Sequence, residues 1–295
     1  TLNRRDGLLS DLVLEIRDNE QGDLVVKTAL GISIYNGRGF RNVPSNNIQM
    51  ITSSDMQRDK HGHFWFKAYS FQNQAGIYRF NTAEFEQINT RFNDLYDFTS
   101  FNNVGVDNKG EVIISSGRRI YSIRNDTLVN HPLNGFPELS ESEIVEFQTG
   151  KNGYMWLITV KKREEIIIYR YEEDQNRLEE LKLPEGIRLG SLRIFFEDNN
   201  QNFWISDPVE SKLYHWIRNP VDEKTEVFTD DCGMDISTIR EIMQDNEGNI
   251  WIATDGGGIC EFNPEKRQVT QTIQHTKSSS RLVNNAVQTI LYGSR

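Results

Sequence analysis

Cysteine is almost missing from this chain, with only Cys232 and Cys260 in 295 residues. Two cysteines do not make a disulfide framework, so the fold must rest on a buried apolar core. Two free thiols are the expected state, and a bond between them is the alternative. No run of 18 apolar residues occurs, so nothing within this segment reads as a membrane-spanning helix. A charged-then-apolar leader is also lacking, and any secretion signal is expected to have been removed or to lie outside the segment. Positive charge is in deficit: 33 Lys and Arg stand against 43 Asp and Glu, a net charge of −10. That balance argues against a nucleic-acid partner, which would want a basic face.

Signature motifs of catalysis and metal binding are equally scarce. No G-x-S-x-G elbow is present to carry nucleophilic catalysis. The run 198–202, DNNQN, opens like a calcium loop but lacks Gly at its sixth position and has Val209 at its twelfth. Residues 255–258, DGGG, precede neither Lys-Ser/Thr nor a helix, so they read as a strand connector rather than a phosphate cradle. His61 and His63 form an H-x-H pair able to point two rings to one side of a strand. They fall in and just after a turn, and His131, His215 and His275 show no ligand spacing, so solvated turn residues are the expectation. No metal and no cofactor are expected, and no residue is assigned as catalytic.

What is present is periodicity. Residues 245–263, DNEGNIWIATDGGGICEFN, read as a turn, a strand with Trp251, a glycine-rich loop and a second strand, which together make a β-hairpin. The Trp251 slot is filled in earlier copies by Val25, Trp65, Ile113, Trp156 and Trp204, at spacings of 40 to 48 residues. Three residues before it stand Gly22, Gly62, Gly110, Gly153, Gln201 and Gly248; six before it stand Asn19, Asp59, Asp107, Gly150, Asp198 and Asp245. Three after it stand Thr28, Ala68, Ser116, Thr159, Asp207 and Thr254, and the next strand ends on Tyr35, Phe80, Ile123, Tyr171, Trp216 and Phe262.

Each column has a cause. The Asp or Asn accepts amide hydrogens inside its own turn, and Gly takes the left-handed position that closes it. The marker slot wants a large apolar side chain on a buried strand face, which makes Trp65, Trp156, Trp204 and Trp251 core residues rather than sugar-stacking platforms. Apolar runs before the hairpins (12–16, 104–106, 144–147, 192–196 and 239–243) read as innermost strands, and weaker strands such as 268–273 follow. Four strands per period make a propeller blade. The expectation is an all-β propeller of four-stranded blades, one domain over 1–295, with repeats at 8–45, 46–92, 93–138, 139–186, 187–232 and 233–277. Residues 278–295 read as the start of a further blade. That implies a seven-bladed parent domain, or alternatively a six-bladed ring in which the last strand joins the first blade.

Strings of the form D-x-x-G-x-x-W-I-x-T followed by G-G-x-x-x-F resemble the two-component regulator propeller repeat. Residues 6–11, DGLLSD, look like that family's blade-opening phrase, and residues 280–287, SRLVNNAV, are similar to its loop before an innermost strand. The resemblance implies a periplasmic, non-catalytic sensor region of a hybrid histidine kinase, with carbohydrate fragments as the usual signal. It also implies a second propeller and a β-sandwich in the same parent chain, and a homodimeric parent.

A binding site can be sought only by position. Loops between second and third strands, and those between blades, gather on one face, where blade packing does not explain departures from the repeat. On that ground Tyr69, Phe71, Arg118, Arg119, Lys161, Lys162, Arg163 and Asp207 are the candidate ligand contacts. Aromatic faces stack on sugar rings, and Arg forks pair with uronate or sulfate. An enzyme resembling streptogramin lyases and a protein-interaction propeller remain alternatives, since propellers host all three.

Overall fold

The turn that opens five of the six repeats is held by its own polar side chain, and the fourth repeat has Gly150 in that place. In the computed structural model of the chain, Asp245 Oδ1 accepts the amide hydrogens of Glu247 and Asn249, both at 2.9 Å, and Oδ2 accepts the indole N–H of Trp251 at 2.8 Å. Asp59 does the same for His61, His63 and Trp65, and Asp198 for Asn200, Asn202 and Trp204. Asp107 and Asn19 hold the same two backbone amides without an indole. The residue three before the marker has positive φ in all six copies, from +74° to +88° for the glycines, and +63° for Gln201. Gln201 therefore adopts a left-handed conformation that its Cβ disfavours.

The structure describes residues 2–19, 21–72, 74–88, 101–116, 118–125, 127–150, 153–161, 165–184, 187, 194–218, 223–230, 233–276, 279–280, 282 and 285–291. It is a β-propeller fold of six antiparallel blades, strands following one another in chain order. The chain divides into two compact units, residues 2–182 and 183–295. The first unit holds four blades. Blade one is β1 (Val13–Asp18), β2 (Leu24–Thr28), β3 (Gly31–Tyr35) and β4 (Phe40–Pro44). Blade two has its innermost strand split into β5 (Ile48–Gln49) and β6 (Gln57–Arg58), both paired with β7 (Phe64–Ser70), and continues with β8 (Ala75–Phe80) and β9 (Phe85–Gln87). Blade three is β10 (Phe101–Val106), β11 (Val112–Ser116), β12 (Arg119–Arg124) and β13 (Thr127–Asn130). Blade four is β14 (Ser142–Thr149), β15 (Met155–Lys161), β16 (Glu165–Glu172) and β17 (Arg177–Glu180).

The second unit holds blade five, β18 (Ile194–Glu197), β19 (Phe203–Asp207), β20 (Lys212–Ile217) and β21 (Lys224–Phe228). Blade six follows as β22 (Ile239–Gln244), β23 (Ile250–Thr254), β24 (Gly258–Asn263) and β25 (Gln268–Ile273). After it comes a short pair, β26 (His275–Thr276) and β27 (Ser279–Ser280). The innermost strand expected within 278–292 is not formed among the described residues. Val287 instead donates its amide hydrogen to Thr254 O, and Asn285 O accepts from Gly256 and Gly258, so this backbone is spent on the sixth blade's own turn.

The core lies between neighbouring blades. Val25, Ile32 and Ile34 of blade one pack with Phe64, Phe66 and Phe80 of blade two; Trp204 and Phe228 of blade five pack with Ile250, Ile252 and Phe262 of blade six. Trp65, Trp156 and Trp204 are buried as expected, and Trp251 is half-buried. The hydroxyl column also has a definite role, because Thr28, Thr159 and Thr254 each donate across the hairpin to a backbone carbonyl. Cys260 is a buried free thiol, and Cys232 lies outside the described residues.

Replacing Asp245 with Ala removes four hydrogen bonds, including one from the Asn249 amide. Chemical denaturation should show a loss of about 2–4 kcal/mol, larger than for Asp107→Ala, where no indole is bound. A second expectation concerns acid. His131 is buried at the start of a 3-10 turn, where its Nδ1 accepts from the Leu133 amide at 3.2 Å. Burial, with a smaller contribution from the Arg124 charge, lowers its pKa from 6.5 to about 4. The unfolded chain takes up this proton below about pH 6.5, whereas the folded chain takes it up only near 4, so stability declines as pH falls through that window. His131→Asn keeps a cap acceptor without a titrating ring, and the fall in Tm from about pH 6.5 to 4.5 should become shallower.

Candidate functional site

The long loop between β7 and β8 is fixed by Ser70. Its hydroxyl accepts the amide hydrogens of Gln72 and Gln74, both at 3.2 Å, and its backbone carbonyl accepts from the Gln49 amide. Phe71 donates its amide hydrogen to Asn47 O of the inter-blade turn at 3.1 Å, and Asn46 in that turn sits at φ +49°. The loop is thereby held against the end of blade one with the Phe71 ring 66% exposed. Between them opens a cleft of about 600 Å³. Phe71, Tyr78 and Phe85 supply its aromatic surface; Asn46, Asn47, Gln72, Gln74 and Gln87 supply amides, and Glu84 is the one carboxylate among the described residues that line it. Tyr78 is buried, stacked on Phe66 with centroids 5.9 Å apart, and burial raises its phenol pKa.

Of the residues expected from the sequence, Phe71 alone lines this cleft. Tyr69, near the end of β7, lies under the Lys67 ammonium, 5.5 Å from its ring centroid. Arg118 and Arg119 are exposed at the β11–β12 turn, and Lys161 ends β15 with its ammonium 3.4 Å from Glu141. Lys162 and Arg163 lie outside the described residues. Asp207 is buried, and its Oδ1 accepts the amide hydrogens of Val209 and Glu210, so it caps its own loop. The amides and Tyr78 escaped the sequence reading, although the loop composition AYSFQNQA was the available signal.

A second cleft, of about 380 Å³, lies between the opening turns of blades two and three and contains His61 and His63. His63 Nδ1 is 3.3 Å from Asp59 Oδ2, the two imidazole centroids are 6.2 Å apart, and among the described residues no group of three metal-ligating side chains forms. The other charges here are already matched: Lys60 pairs with Glu111, Arg124 approaches Glu111 at 3.9 Å, and Arg79 pairs with Glu86 at 2.5 Å. A buried ion pair is a third candidate. Lys27 Nζ is 2.6 Å from Glu15 Oε2 and donates to Ser54 O, while both Glu15 oxygens accept from the Met56 amide. These groups are spent joining blade one to blade two, and they leave nothing over for a ligand.

Six hairpin blades, four of them opened by Asp-capped turns, with two clefts at their loops and turns, define a repeat propeller with ligand-sized depressions and no assembled catalytic cluster among the described residues. The repeat can be assigned: residues 233–256 match the family described as two component regulator propeller, so the sixth blade carries that repeat and the resemblance read from the sequence holds. No curated protein matches the sequence. Among solved structures, the extracellular domain of the hybrid two component system BT3049 from B. thetaiotaomicron is similar at 16% identity and TM-score 0.57, covering 98% of this chain and 38% of that one. Virginiamycin B lyase from Staphylococcus aureus is similar at 14% identity and TM-score 0.61, covering 90% and 85%. PorZ, a surface component of the type-IX secretion system of Porphyromonas gingivalis, is similar at 13% identity and TM-score 0.64, covering 96% and 44%. At these identities the likeness is one of fold. This chain spans less than half the length of the first and third of these proteins. No helix among the described residues is long and apolar enough to cross a membrane.

Lys27→Met strands the buried Glu15 carboxylate and should cost about 3–5 kcal/mol in denaturant unfolding. The double variant Glu15→Gln/Lys27→Met should lose less than the two single losses added together, because neither charge is left alone.

Proposed function

We propose that this chain is an extracytoplasmic, non-catalytic sensory propeller of a two-component signalling protein, with carbohydrate as its signal. The observation that carries the reading is the two-component regulator propeller repeat in blade six. The loop-side cleft beside Phe71 supports it, since an exposed aromatic ring among side-chain amides is suited to a hydroxyl-rich ligand. In this reading the parent is a histidine kinase. A second propeller and a β-sandwich of the same chain are the domains that pass on occupancy, in a homodimer, and no nucleic acid is bound through this part.

Similarity to virginiamycin B lyase raises the enzymatic alternative. A lyase needs an accessible base among acidic partners. His131 and His215 are buried; His215 stacks on Trp204 at 4.0 Å between Asp198 and Glu226. His275 lies against Leu282 O, and His63 against Asp59. His61 and His63 line the smaller cleft, where the carboxylate beside them, Asp59, is already taken by its own turn amides and the Trp65 indole, which favours binding over turnover.

Thermal unfolding in the presence of a panel of oligosaccharides tests the proposal. Ligand at about 100 times its Kd stabilises by about 2.7 kcal/mol, so a saccharide signal should raise Tm by several degrees. Turnover of virginiamycin B by the purified chain, or a flat response to every saccharide, would overturn it.

A further inference from the structure

We propose that the cleft beside Phe71 is a binding site for an uncharged saccharide, which rests on the sensory reading above and names its ligand class. Three observations converge. Phe71 is kept 66% exposed by a loop that Ser70 and Asn47 hold in place, so the ring is presented rather than merely unburied. An aromatic face of this kind covers the C–H face of a pyranose.

The polar groups around it are of one type. Asn46, Asn47, Gln72 and Gln74 are exposed, and no side-chain hydrogen bond to a described residue is recorded for them. Each amide offers a donor and an acceptor, as does each sugar hydroxyl. At the base lies Tyr78, only 4% exposed, whose hydroxyl has no hydrogen-bond partner among the described residues. That hydroxyl can donate to or accept from a ligand hydroxyl at the cleft.

Charge decides between neutral and acidic sugars. Among the described residues no Lys, Arg or His lines the cleft, and the one carboxylate that does is Glu84. A uronate or sulfate would meet a carboxylate with no cation to offset it, in a chain of net charge −10. The arginines that suit acidic sugars lie elsewhere, Arg79 on Glu86 and Arg118 and Arg119 on the third blade.

Gly76 lies against two of the side chains that line the cleft, Tyr78 and Gln87. A Cβ there would stand 2.9 Å from both Tyr78 Cε2 and Gln87 Nε2. Its backbone is not left-handed, so a substitution acts by crowding those two side chains rather than by straining the chain.

The test is isothermal titration of the purified chain with neutral gluco-, xylo-, manno- and galacto-oligosaccharides, set beside oligogalacturonate and a sulfated oligosaccharide. A neutral saccharide should bind. Phe71→Ala should weaken it roughly ten-fold while leaving the Tm of the free protein within about 1 °C, because the ring is exposed. Tyr78→Phe and Gly76→Ala should each weaken it by roughly five-fold or more, and Arg118→Ala/Arg119→Ala should leave it unchanged. Binding of acidic saccharides alone would overturn this inference and leave the sensory reading standing. Neutral binding that ignores Phe71→Ala and Tyr78→Phe would do the same. Failure of every saccharide to bind would overturn both.

Discussion

A carboxylate that accepts two backbone amides on one oxygen and an indole N–H on the other is the interaction from which this architecture is built. It couples a local event, closing a four-residue turn, to a non-local one, fixing the rotamer of the residue that packs between blades. Trp204 shows the consequence. Held by Asp198, it lies edge-on to Phe262 of the next blade with centroids 6.0 Å apart and stacks with Phe228 at 6.1 Å. The electrostatics carry the same signature. Asp198 and Asp245 are penalised by burial, yet their hydrogen bonds, the indole's among them, bring both pKa values below the ordinary range. Asp107 keeps its two backbone amides but faces Ile113, and there burial prevails and the pKa is raised. Blade four dispenses with the carboxylate, since Gly150 stands in its place, and still buries Trp156.

Neighbouring blades within a unit are also tied through their innermost strands. Bulges between residues 13 and 15, 101 and 103, 144 and 146, and 239 and 241 advance one residue and re-aim the side chain that follows. That side chain is Glu15, Asn103, Glu146 or Glu241. Glu15 accepts from Met56, Asn103 donates to Val145 O, and Glu241 accepts from Ile290. A polar group that bonds the next backbone specifies which strand sits alongside, a selectivity that apolar packing alone lacks. The price appears at Glu146, where burial and the Asp55 charge raise the pKa.

Repeat positions were legible in the sequence because their causes lie within about ten residues: an acid, a glycine, an indole and a hydroxyl at constant offsets. The columns therefore predicted the hairpins, and β25 spans the residues read as a fourth strand. The Asp–Trp bond itself was not read, though its constant spacing of six residues was on view. Asp207 shows the limit of a departure-from-consensus argument. It occupies the column of Thr28 and Thr254 and does a related capping task with a different group, so it departs in type while conforming in role. The cleft was hidden for another reason. It is assembled from the turn after one repeat and the loop of the next, and no periodic pattern encodes that juxtaposition.

The same saturation that makes the blades regular determines where a ligand can be recognised. Turn carboxylates, hairpin hydroxyls, marker indoles and innermost-strand acids already have partners inside the protein, and using any of them for a ligand would first break a bond that holds a blade. Charged clusters are constrained in the same way: the cleft with His61 and His63 carries the ion pair of Lys60 with Glu111, and Arg79 there is held by Glu86. Unspent hydrogen-bonding capacity is left to loops outside the columns. Beside Phe71 that capacity consists of amides and one phenol, groups that discriminate by the arrangement of hydroxyls and not by charge. Since the loop is anchored through Ser70 to β5 of blade two and through Phe71 to the turn that joins blade one to blade two, an occupant there would bear on that connection between the blades.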